Sequence, residues 1–394
     1  MRILIVGLST RAIAESAVHV RADLVPAHDH TIVSLDYFGD RDQRALVENH
    51  ALLRDFDLAF NAQSLLQASS HLNFDAVVYI SNLENHPDVV EELAQGRVLL
   101  GNAPGVLRQV RDWRVLRAFC REVGIPCPTT LLAGEEENTN PTSRWLCKPV
   151  RSGGGHGVRP WTGDPLDEHH VLQAYVEGRP ASAAFVADGE RSVVIGLTEQ
   201  MIGRGELGAR GFAWCGNILP LALQPAERTA VLEAVERMAT RLTRRFGLQG
   251  MNGIDLVIAD GPDGHPTPFL VEVNPRYTGA MELVERAYGL NVFSLHLEAL
   301  EGQLPDFRLA DHLHSQSLYF GKGIVYAVRT VTMPETEGWV EQGWRDVPFP
   351  GERIEAGHPV CTVLAEGDDR EACWNHLLAS AEAVRREIGD EVAN

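Results

Sequence analysis

The chain places a lysine directly before a glycine-rich segment, and this combination could bind phosphate. Lys148 ends an apolar stretch, and four glycines lie within residues 152–157. Glycines let backbone N–H groups approach phosphate oxygens closely, and the lysine adds a positive charge. The order differs from a Walker A loop, in which the lysine follows the glycines and opens a helix. The segment therefore predicts a phosphate-binding loop of another type; the alternative is a flexible hairpin tip with a solvated lysine.

A second group of polar residues lies more than a hundred positions later, on two predicted strands. Glu272 and Asn274 are two residues apart, so their side chains point to one face of a strand. Asp255 on a neighbouring strand would complete an all-oxygen site suited to Mg²⁺ shared with phosphates. Carboxylates in apolar strands are costly to bury without a cation. The alternatives are an ion pair with Arg276 and simple exposure at a sheet edge.

The elements that must position these residues begin with an alternation of short apolar runs and helical stretches. This pattern is typical of an α/β domain with a doubly wound parallel sheet. The predicted strands are Arg2–Val6, Thr31–Leu35, Leu58–Phe60, Ala76–Ile80 and Val98–Leu100. The turn after the first strand contains no GxGxxG sequence, so a nicotinamide or flavin site, and with it a dehydrogenase, is not supported.

The middle of the chain predicts an α+β arrangement. Helices are expected at Arg111–Val123, which Gly124 and Pro126 would end, and at Pro225–Phe246. The predicted strands are Trp145–Pro149, His170–Tyr175, Ala183–Val186, Ser192–Leu197, Gly253–Ile258 and Phe269–Val273. The last ninety or so residues predict short strands at Gly323–Thr332 and Pro359–Leu364 and a final helix near Arg370–Ile388.

Composition excludes several classes of function. The net charge of −19 argues against a broad nucleic-acid surface, which requires clustered Lys and Arg. No run approaches 18 apolar residues, so no membrane span is expected. The chain starts directly with a predicted strand, without the regions of a signal peptide, and a cytoplasmic location is expected.

The lysine, the glycine loop and the Asp…Glu-x-Asn-x-Arg pattern together resemble the ATP-grasp superfamily. Within it, residues 81–87, 101–104 and 346–351 look like those of predicted carboligases distantly related to biotin carboxylase. The resemblance implies a pre-ATP-grasp domain over residues 1–103, a two-lobed ATP-grasp domain over 104–305 with a mobile lobe at about 128–178, and a small C-terminal α+β domain over 306–394.

The resemblance also implies roles for individual residues, with ATP and Mg²⁺ as cofactors. Lys148 would contact the α- and β-phosphates, and Arg276 would stabilise the transferred phosphoryl group or the substrate carboxylate. Asp255, Glu272 and Asn274 would hold Mg²⁺. The loop over the β- and γ-phosphates would consist of Ser152, Gly153, Gly154, Gly155, His156 and Gly157. The hinge whose backbone contacts adenine would consist of Gln173, Ala174, Tyr175 and Val176.

Two positions depart from the family pattern. Trp113 stands where an upstream helix usually supplies a nucleotide-binding Lys or Arg; Arg111 or Arg114 could substitute, or Trp113 could be a core residue. The acidic residue expected to hold the ribose hydroxyls is absent from residues 180–183, and Glu177 is close by but off register. The ribose contacts are left open.

Substrate residues are expected on the loops that face the nucleotide. Those proposed from the sequence are Arg11, Glu84, Asn85, Tyr277, Thr278 and Gly279. The implied reaction activates a small-molecule carboxylate as an acyl phosphate, releases ADP and phosphate, and joins the acyl group to an amine or thiol. Similar ATP-grasp proteins join glutamate to an aromatic amine in cofactor biosynthesis, and a homodimer is the usual expectation for this architecture.

Two alternatives remain at this point. The first is a bicarbonate-activating, carboxylase-like enzyme, although the chain has no lysine in the Met-Lys context of a biotinylation site. The second is a non-catalytic ATP-binding regulatory module. The presence together of Asp255, Glu272, Asn274 and Arg276 weighs against it, because a degenerate domain would be expected to lose one of them.

Overall fold

The computed structural model describes residues 1–19, 30–136, 139–140, 142–261, 264–315 and 317–390. It begins with a five-stranded parallel sheet in the order β3-β2-β1-β4-β5. The strands are β1 Arg2–Val6, β2 Thr31–Asp36, β3 Glu48–Ala51, β4 Ala76–Tyr79 and β5 Val98–Leu99. The helices that alternate with them are α1 Arg11–Val18, α2 Arg41–Leu46, α3 Leu52–Phe56, α4 Ala62–Ser69 and α5 Pro87–Leu93.

Burial explains which strands of this sheet can be predicted. β1 is the central strand, and Ile3 to Val6 are fully buried, as expected for a parallel strand covered on both faces. The prediction of a strand at Leu58–Phe60 is wrong. The fifth strand of the sheet is instead β3, which was not predicted and has the sequence Glu-Asn-His-Ala. It lies at the sheet edge and pairs only with β2. An edge strand buries little apolar surface, and the apolar side chains of Leu58 and Phe60 pack against the core without forming a strand.

Two helices lead from this sheet to a small antiparallel sheet. They are α6 Pro104–Val110 and α7 Trp113–Val123. Asp112 begins α7 by accepting a hydrogen bond from the N–H of Arg114 at 2.7 Å, and Gly124 ends it in the left-handed conformation. The sheet has the order β6-β9-β7-β8. Its strands are β6 Thr130–Leu131, β7 Trp145–Pro149, β8 Arg159–Pro160 and β9 His170–Ala174, and the glycine-rich segment connects β7 to β8.

An eight-stranded sheet in the order β14-β13-β10-β11-β12-β15-β19-β17 forms the largest layer. The strands before residue 300 are β10 Arg179–Asp188, β11 Ser192–Ile202, β12 Trp214–Leu219, β13 Gln249–Asp260 and β14 Pro266–Asn274. The helices of this part are α8 Pro225–Phe246, α9 Met281–Tyr288 and α10 Val292–Leu300. Helix α8 begins at a proline, ends before the left-handed Gly247, and buries Val231, Val235, Met238 and Leu242 in the core.

Three C-terminal strands continue the same sheet, namely β15 Tyr319–Tyr326, β17 Trp344–Arg345 and β19 Pro359–Gly367. Two short strands, β16 Val331–Thr332 and β18 Arg353–Ile354, pair with each other in a separate two-stranded sheet. The helices of this part are α11 Leu309–Ser315 and α12 Arg370–Glu387. β15 pairs with β12, so the sheet runs without a break from the middle of the chain into its last part. The mixed fold class, a parallel N-terminal sheet followed by a large antiparallel one, agrees with the prediction from sequence. Among the described residues, no helix is both long and apolar enough to cross a bilayer.

Candidate active site

Two carboxylates lie opposite each other on the neighbouring strands β13 and β14. Asp255 pairs with Glu272 in the antiparallel register, and the register shifts directly after them. Asp255 accepts hydrogen bonds from Gln200 Nε2 at 2.7 Å and from Asn274 Nδ2 at 3.0 Å. Burial and the adjacent negative charge of Glu272 raise the pKa of Asp255 to about 6. The structure therefore brings together the two carboxylates that the sequence assigned to one site.

Arg111 balances the second carboxylate. Its Nη1 donates to Glu272 Oε1 at 2.6 Å and to the carbonyl of Val273 at 2.8 Å. Burial raises the pKa of Glu272, but Arg111 and Lys148 outweigh it and hold the pKa below its ordinary value. Sequence considerations offered Arg111 only as one possible substitute for the expected basic residue at Trp113. The structure places its guanidinium at the carboxylate pair.

Lys148 lies in the same site on the strand that precedes the glycine loop. Its Nζ donates to Gln173 Oε1 at 3.1 Å and lies 5.3 Å from the centre of the Trp113 ring. Burial lowers the pKa of Lys148 despite the neighbouring carboxylates of Glu272 and Asp255. A cation that is so poorly hydrated interacts strongly with an anion placed beside it. Trp113 is half-buried at this position, so an aromatic face stands where the family usually has a cation.

The glycine loop, residues 152–157, contacts the protein on two sides. The N–H of Trp214 donates to the carbonyl of Gly154 at 2.9 Å. At Gly155, φ is +77° and a Cβ atom would lie 1.8 Å from the carbonyl oxygen of Phe212, so only glycine fits there. On the other side, Asn85 Nδ2 donates to the carbonyl of Ser152 at 3.3 Å. The loop is therefore held between the parallel sheet and the segment before β12.

Arg276 is oriented by the parallel sheet. Glu84, in a short 3₁₀ helix at residues 83–85, accepts from Arg276 Nε at 2.9 Å and from Nη2 at 2.7 Å. Arg276 also donates to Asn274 Oδ1 at 3.2 Å and to the carbonyl of Tyr277 at 2.9 Å. The predicted substrate residues Glu84 and Asn85 thus contact the two active-site arginines from the N-terminal sheet.

The segment after Arg276 is buried. The hydroxyl groups of Tyr277 and Thr278 have no hydrogen-bond partner among the described residues. At Gly279, a Cβ atom would lie 2.6 Å from the indole ring of Trp214. The structure therefore places Gly279 against the same tryptophan whose backbone holds the glycine loop.

Arg11 does not join this group in the structure. It is fully buried and donates to Asp346 at 3.0 Å, to Glu15 at 2.9 Å and to Glu282 at 2.6 Å. Two further bonds, to Glu282 and Asp346, occupy its remaining N–H groups, because a guanidinium has five. In this structure Arg11 joins α1 to α9 and to residue 346, and its assignment to substrate binding stays a prediction.

The predicted hinge residues lie at and after the end of β9, and their backbone N–H groups differ in whether they are hydrogen-bonded. The N–H of Ala174 donates to Thr129 and the N–H of Tyr175 donates to Arg144, each at 2.8 Å. The side chain of Gln173 is buried beside Lys148. Within the described part of the chain, the N–H of Val176 has no backbone partner. Of the four predicted residues, Val176 is therefore the one with an amide open to a ligand.

The carboxylate pair fits a divalent cation only if further oxygens come from a ligand. Among the described residues, no three His, Cys, Asp or Glu side chains are placed to hold a metal ion together. Asn274 directs its amide oxygen to Arg276 and its amide nitrogen to Asp255, so it orients both side chains in this structure. Asp255 and Glu272 remain as two oxygen donors with mutual repulsion to relieve. Mg²⁺ is commonly bound by one or two carboxylates together with phosphate oxygens and waters.

Residues 111–280 match the family model described as the ATP-grasp domain. The chain contains an ATP-grasp domain. An uncharacterised protein of Methanocaldococcus jannaschii is 23% identical over 197 residues, which are 50% of this chain and 42% of that protein. The chain thus spans less than half the length of this relative.

Solved structures extend the likeness of the fold beyond the ATP-grasp domain. Biotin carboxylase of Campylobacter jejuni superposes with a TM-score of 0.68 at 13% identity, over 95% of this chain and 89% of that one. An L-amino acid ligase of Bacillus licheniformis superposes with a TM-score of 0.64 at 16% identity, over 99% of this chain and 97% of that one. The shared fold therefore includes the N-terminal parallel sheet and the C-terminal strands of the present chain.

Sequence considerations missed two residues that contact the site. Gln200, on β11, binds Asp255 from 55 positions away, and no local motif marks it. Trp214, on β12, contacts both the glycine loop and Gly279, but its strand was not predicted. Both lie on strands that reach the site only through sheet pairing.

Proposed function

We propose that this chain is an ATP-dependent ligase that activates a carboxylate as an acyl phosphate and joins it to an amine. The observation that supports this most directly is the convergence of Lys148, Glu272 and Arg276 around Asp255. The glycine loop that follows Lys148 is hydrogen-bonded to Asn85 and Trp214. The ATP-grasp domain and the neighbouring folds, among them an L-amino acid ligase, are consistent with this chemistry. The acid and the amine are small molecules.

The reaction consists of two displacements. A carboxylate oxygen attacks the γ-phosphorus of ATP, and the bond from that phosphorus to the oxygen of the leaving ADP breaks. The amine nitrogen then attacks the acyl carbon, the bond from carbon to the phosphate oxygen breaks, and the nitrogen releases a proton. Amide, ADP and phosphate are the products. Such phosphoryl transfer depends mainly on positioning and charge stabilisation.

The residues of the chain divide this work. Lys148, poorly hydrated and held by Gln173, supplies positive charge to the phosphates of ATP. Asp255 and Glu272 would hold Mg²⁺, which neutralises phosphate charge when bound. Arg276 is fixed by Glu84 and Asn274, and a guanidinium suits either the transferred phosphoryl group or the acid. The glycine loop excludes water, which would otherwise hydrolyse the acyl phosphate.

The nucleotide would be bound by backbone and side-chain groups on both sides of Lys148. Residues 152–157 would cover the β- and γ-phosphates, and Val176 would present its free amide to the adenine. Trp113 would line the nucleotide pocket beside Lys148. Arg111 would act on the nucleotide site indirectly, by holding the carboxylate of Glu272. Glu84, Asn85, Tyr277, Thr278 and Gly279 would border the acceptor side of the cleft.

The deciding measurement is ADP release from Mg-ATP with pools of carboxylates, with and without pools of amines, and with bicarbonate separately. We expect turnover that requires an acid and an amine and that is abolished by EDTA, by Lys148→Ala and by Glu272→Gln. Glu366→Gln, which removes an exposed carboxylate on β19, is the matched control and should leave turnover unchanged. Turnover with bicarbonate alone, or nucleotide binding without any ADP release, would contradict the proposal in favour of a carboxylase-like enzyme or a regulatory module.

A further inference from the structure

A continuous chain of contacts connects the candidate metal carboxylate to the glycine loop through the parallel sheet. Glu272 accepts from Arg111 at 2.6 Å, Asn85 Oδ1 accepts from Arg111 Nη2 at 2.7 Å and from Nε at 2.9 Å, and Asn85 Nδ2 donates to Ser152 at 3.3 Å. The amide of Asn85 thus has one end on an active-site arginine and the other on the backbone of the loop.

Asn85 is suited to this double contact by its chemistry. An amide side chain has an acceptor oxygen and a donor nitrogen, whereas an ionised carboxylate only accepts. The carbonyl of Ser152 requires a donor, and the guanidinium of Arg111 requires an acceptor. Asn85 is buried, with 5% of its surface exposed, so neither contact has ready replacement by water.

Glu84, the residue before Asn85, has a charged side chain instead of a neutral one. Glu84 provides a charged acceptor for Arg276, which has a neutral amide, Asn274, as its other side-chain partner. Arg111 already forms an ion pair with Glu272. A neutral partner at position 85 does not compete with Glu272 for the positive charge of Arg111. The 3₁₀ helix therefore offers a charged group to one arginine and a neutral group to the other.

We propose that Asn85 is a positioning residue that couples the docking of the glycine loop to Glu272 through Arg111. When residue 152 docks, the amide of Asn85 is held in the orientation that fixes Arg111 against Glu272. When the loop lifts, Asn85 loses one of its anchors and Arg111 is held less firmly. This role rests on the proposed function, because the loop is taken to close over the nucleotide.

The docking of the loop can be measured without any substrate. Arg151 is exposed and precedes Ser152, so trypsin can cleave the bond between them when the loop opens. Limited proteolysis of the full chain, with the peptides identified by mass spectrometry, reports the rate at this bond. The rate is measured without nucleotide and with the β,γ-imido analogue of ATP plus Mg²⁺.

Asn85→Ala removes both contacts, and Asn85→Asp keeps the acceptor for Arg111 while removing the donor to Ser152. Both variants are expected to be cleaved at Arg151 about fivefold faster than the native chain without nucleotide, the size expected from one net hydrogen bond. In the enzyme assay, Asn85→Asp should raise the KM for Mg-ATP by a larger factor than the factor by which it lowers kcat. Asn61→Ala is the matched control, since Asn61 caps α4 by accepting from the N–H of Ser64 and forms no hydrogen bond with the loop among the described residues. It should lower thermal stability without changing cleavage at Arg151.

Arg111→Lys tests the coupling itself. In the described structure Arg111 bonds to Asn85, Glu272 and Val273 and to no residue of the loop. Faster cleavage at Arg151 in Arg111→Lys, not additive with Asn85→Ala, is the expected result. Native cleavage rates in the Asn85 variants, or in Arg111→Lys, would overturn the proposal. If the nucleotide analogue fails to protect the native chain, the proposed nucleotide site fails, and the rates without nucleotide still decide the role of Asn85.

Discussion

Glu84 holds Arg276 through two hydrogen bonds, of 2.9 and 2.7 Å, although the residues are 192 positions apart in the chain. Glu84 is 1% exposed and the side chain of Arg276 is 11% exposed, so the pair is shielded from water. The parallel sheet thus contributes to the ATP-grasp site by fixing the direction of its arginine. The consequence is that the site depends on residues outside the matched domain.

Glu84→Ala should impair both stability and turnover. It leaves the charge of Arg276 buried without its partner, and breaking such a pair costs roughly 3 kcal/mol. Loss of a positioned charge-stabilising group lowers kcat by about 100-fold. Urea unfolding and ADP release measure the two effects. Arg286→Ala, which breaks the more exposed pair with Glu366, is the control and should cost less than about 1 kcal/mol. Equal losses in both variants would show that Glu84 has no special role.

Chemical modification should show that Lys148 is the more reactive of the two lysines and that it lies in the nucleotide site. Lys148 and Lys322 are the only lysines of the chain. Burial lowers the pKa of Lys148, which favours the reactive neutral amine, whereas Lys322 donates to Glu282 at 2.6 Å in a buried ion pair. We expect reductive methylation, followed by mass spectrometry, to modify Lys148 before Lys322. Mg-ATP should protect Lys148, and unchanged labelling of Lys148 with saturating Mg-ATP would contradict its assignment.

Two neighbouring glycines should respond differently to alanine. Both Gly154 and Gly155 have positive φ, which costs an alanine about 1 kcal/mol. A Cβ atom at Gly155 would also overlap Phe212, whereas at Gly154 the nearest atom, in His156, would lie 3.8 Å away. Gly155→Ala should therefore displace the loop and raise the KM for ATP at least tenfold, and Gly154→Ala should change it about fivefold or less. Equal KM values in the two variants would contradict the docked position of the loop.

Stability should fall as the pH rises through the range in which Glu285 ionises. Burial raises the pKa of Glu285 to about 7, above its ordinary value of 4.5, although Ser16 and the N–H of Val292 donate hydrogen bonds to it. The native state therefore holds the proton more tightly than the unfolded state. Its contribution is fully present below pH 4.5 and is lost as the pH rises from about 4.5 to 7.

Glu285→Gln should remove this dependence, because the amide stays neutral. Relative to the native chain, the variant should gain about 2–3 kcal/mol in free energy of unfolding between pH 5 and pH 8, as the shift in pKa implies. Urea unfolding at both pH values measures the difference. A variant that keeps the native slope would show that other groups cause it.

The amino-acid sequence by itself determined the local features of this protein. The apolar β1, the amphipathic α8 with its proline and glycine ends, the glycine segment after Lys148 and the two-residue spacing of Glu272 and Asn274 are all short-range patterns. Each follows from backbone geometry or from the period of buried side chains, which acts within a few residues. The mixed α/β fold class could be predicted for the same reason.

Tertiary structure decided which of these features meet. The edge strand β3 and the continuation of the sheet from β12 into β15 have no strong local pattern, because they depend on partners far away in the chain. Arg11 and Arg111 are alike as residues, yet all N–H groups of Arg11 are hydrogen-bonded to three carboxylates, whereas Arg111 is directed at Glu272. The direction of a charged side chain depends on the charges that folding places around it, and those charges come from distant segments.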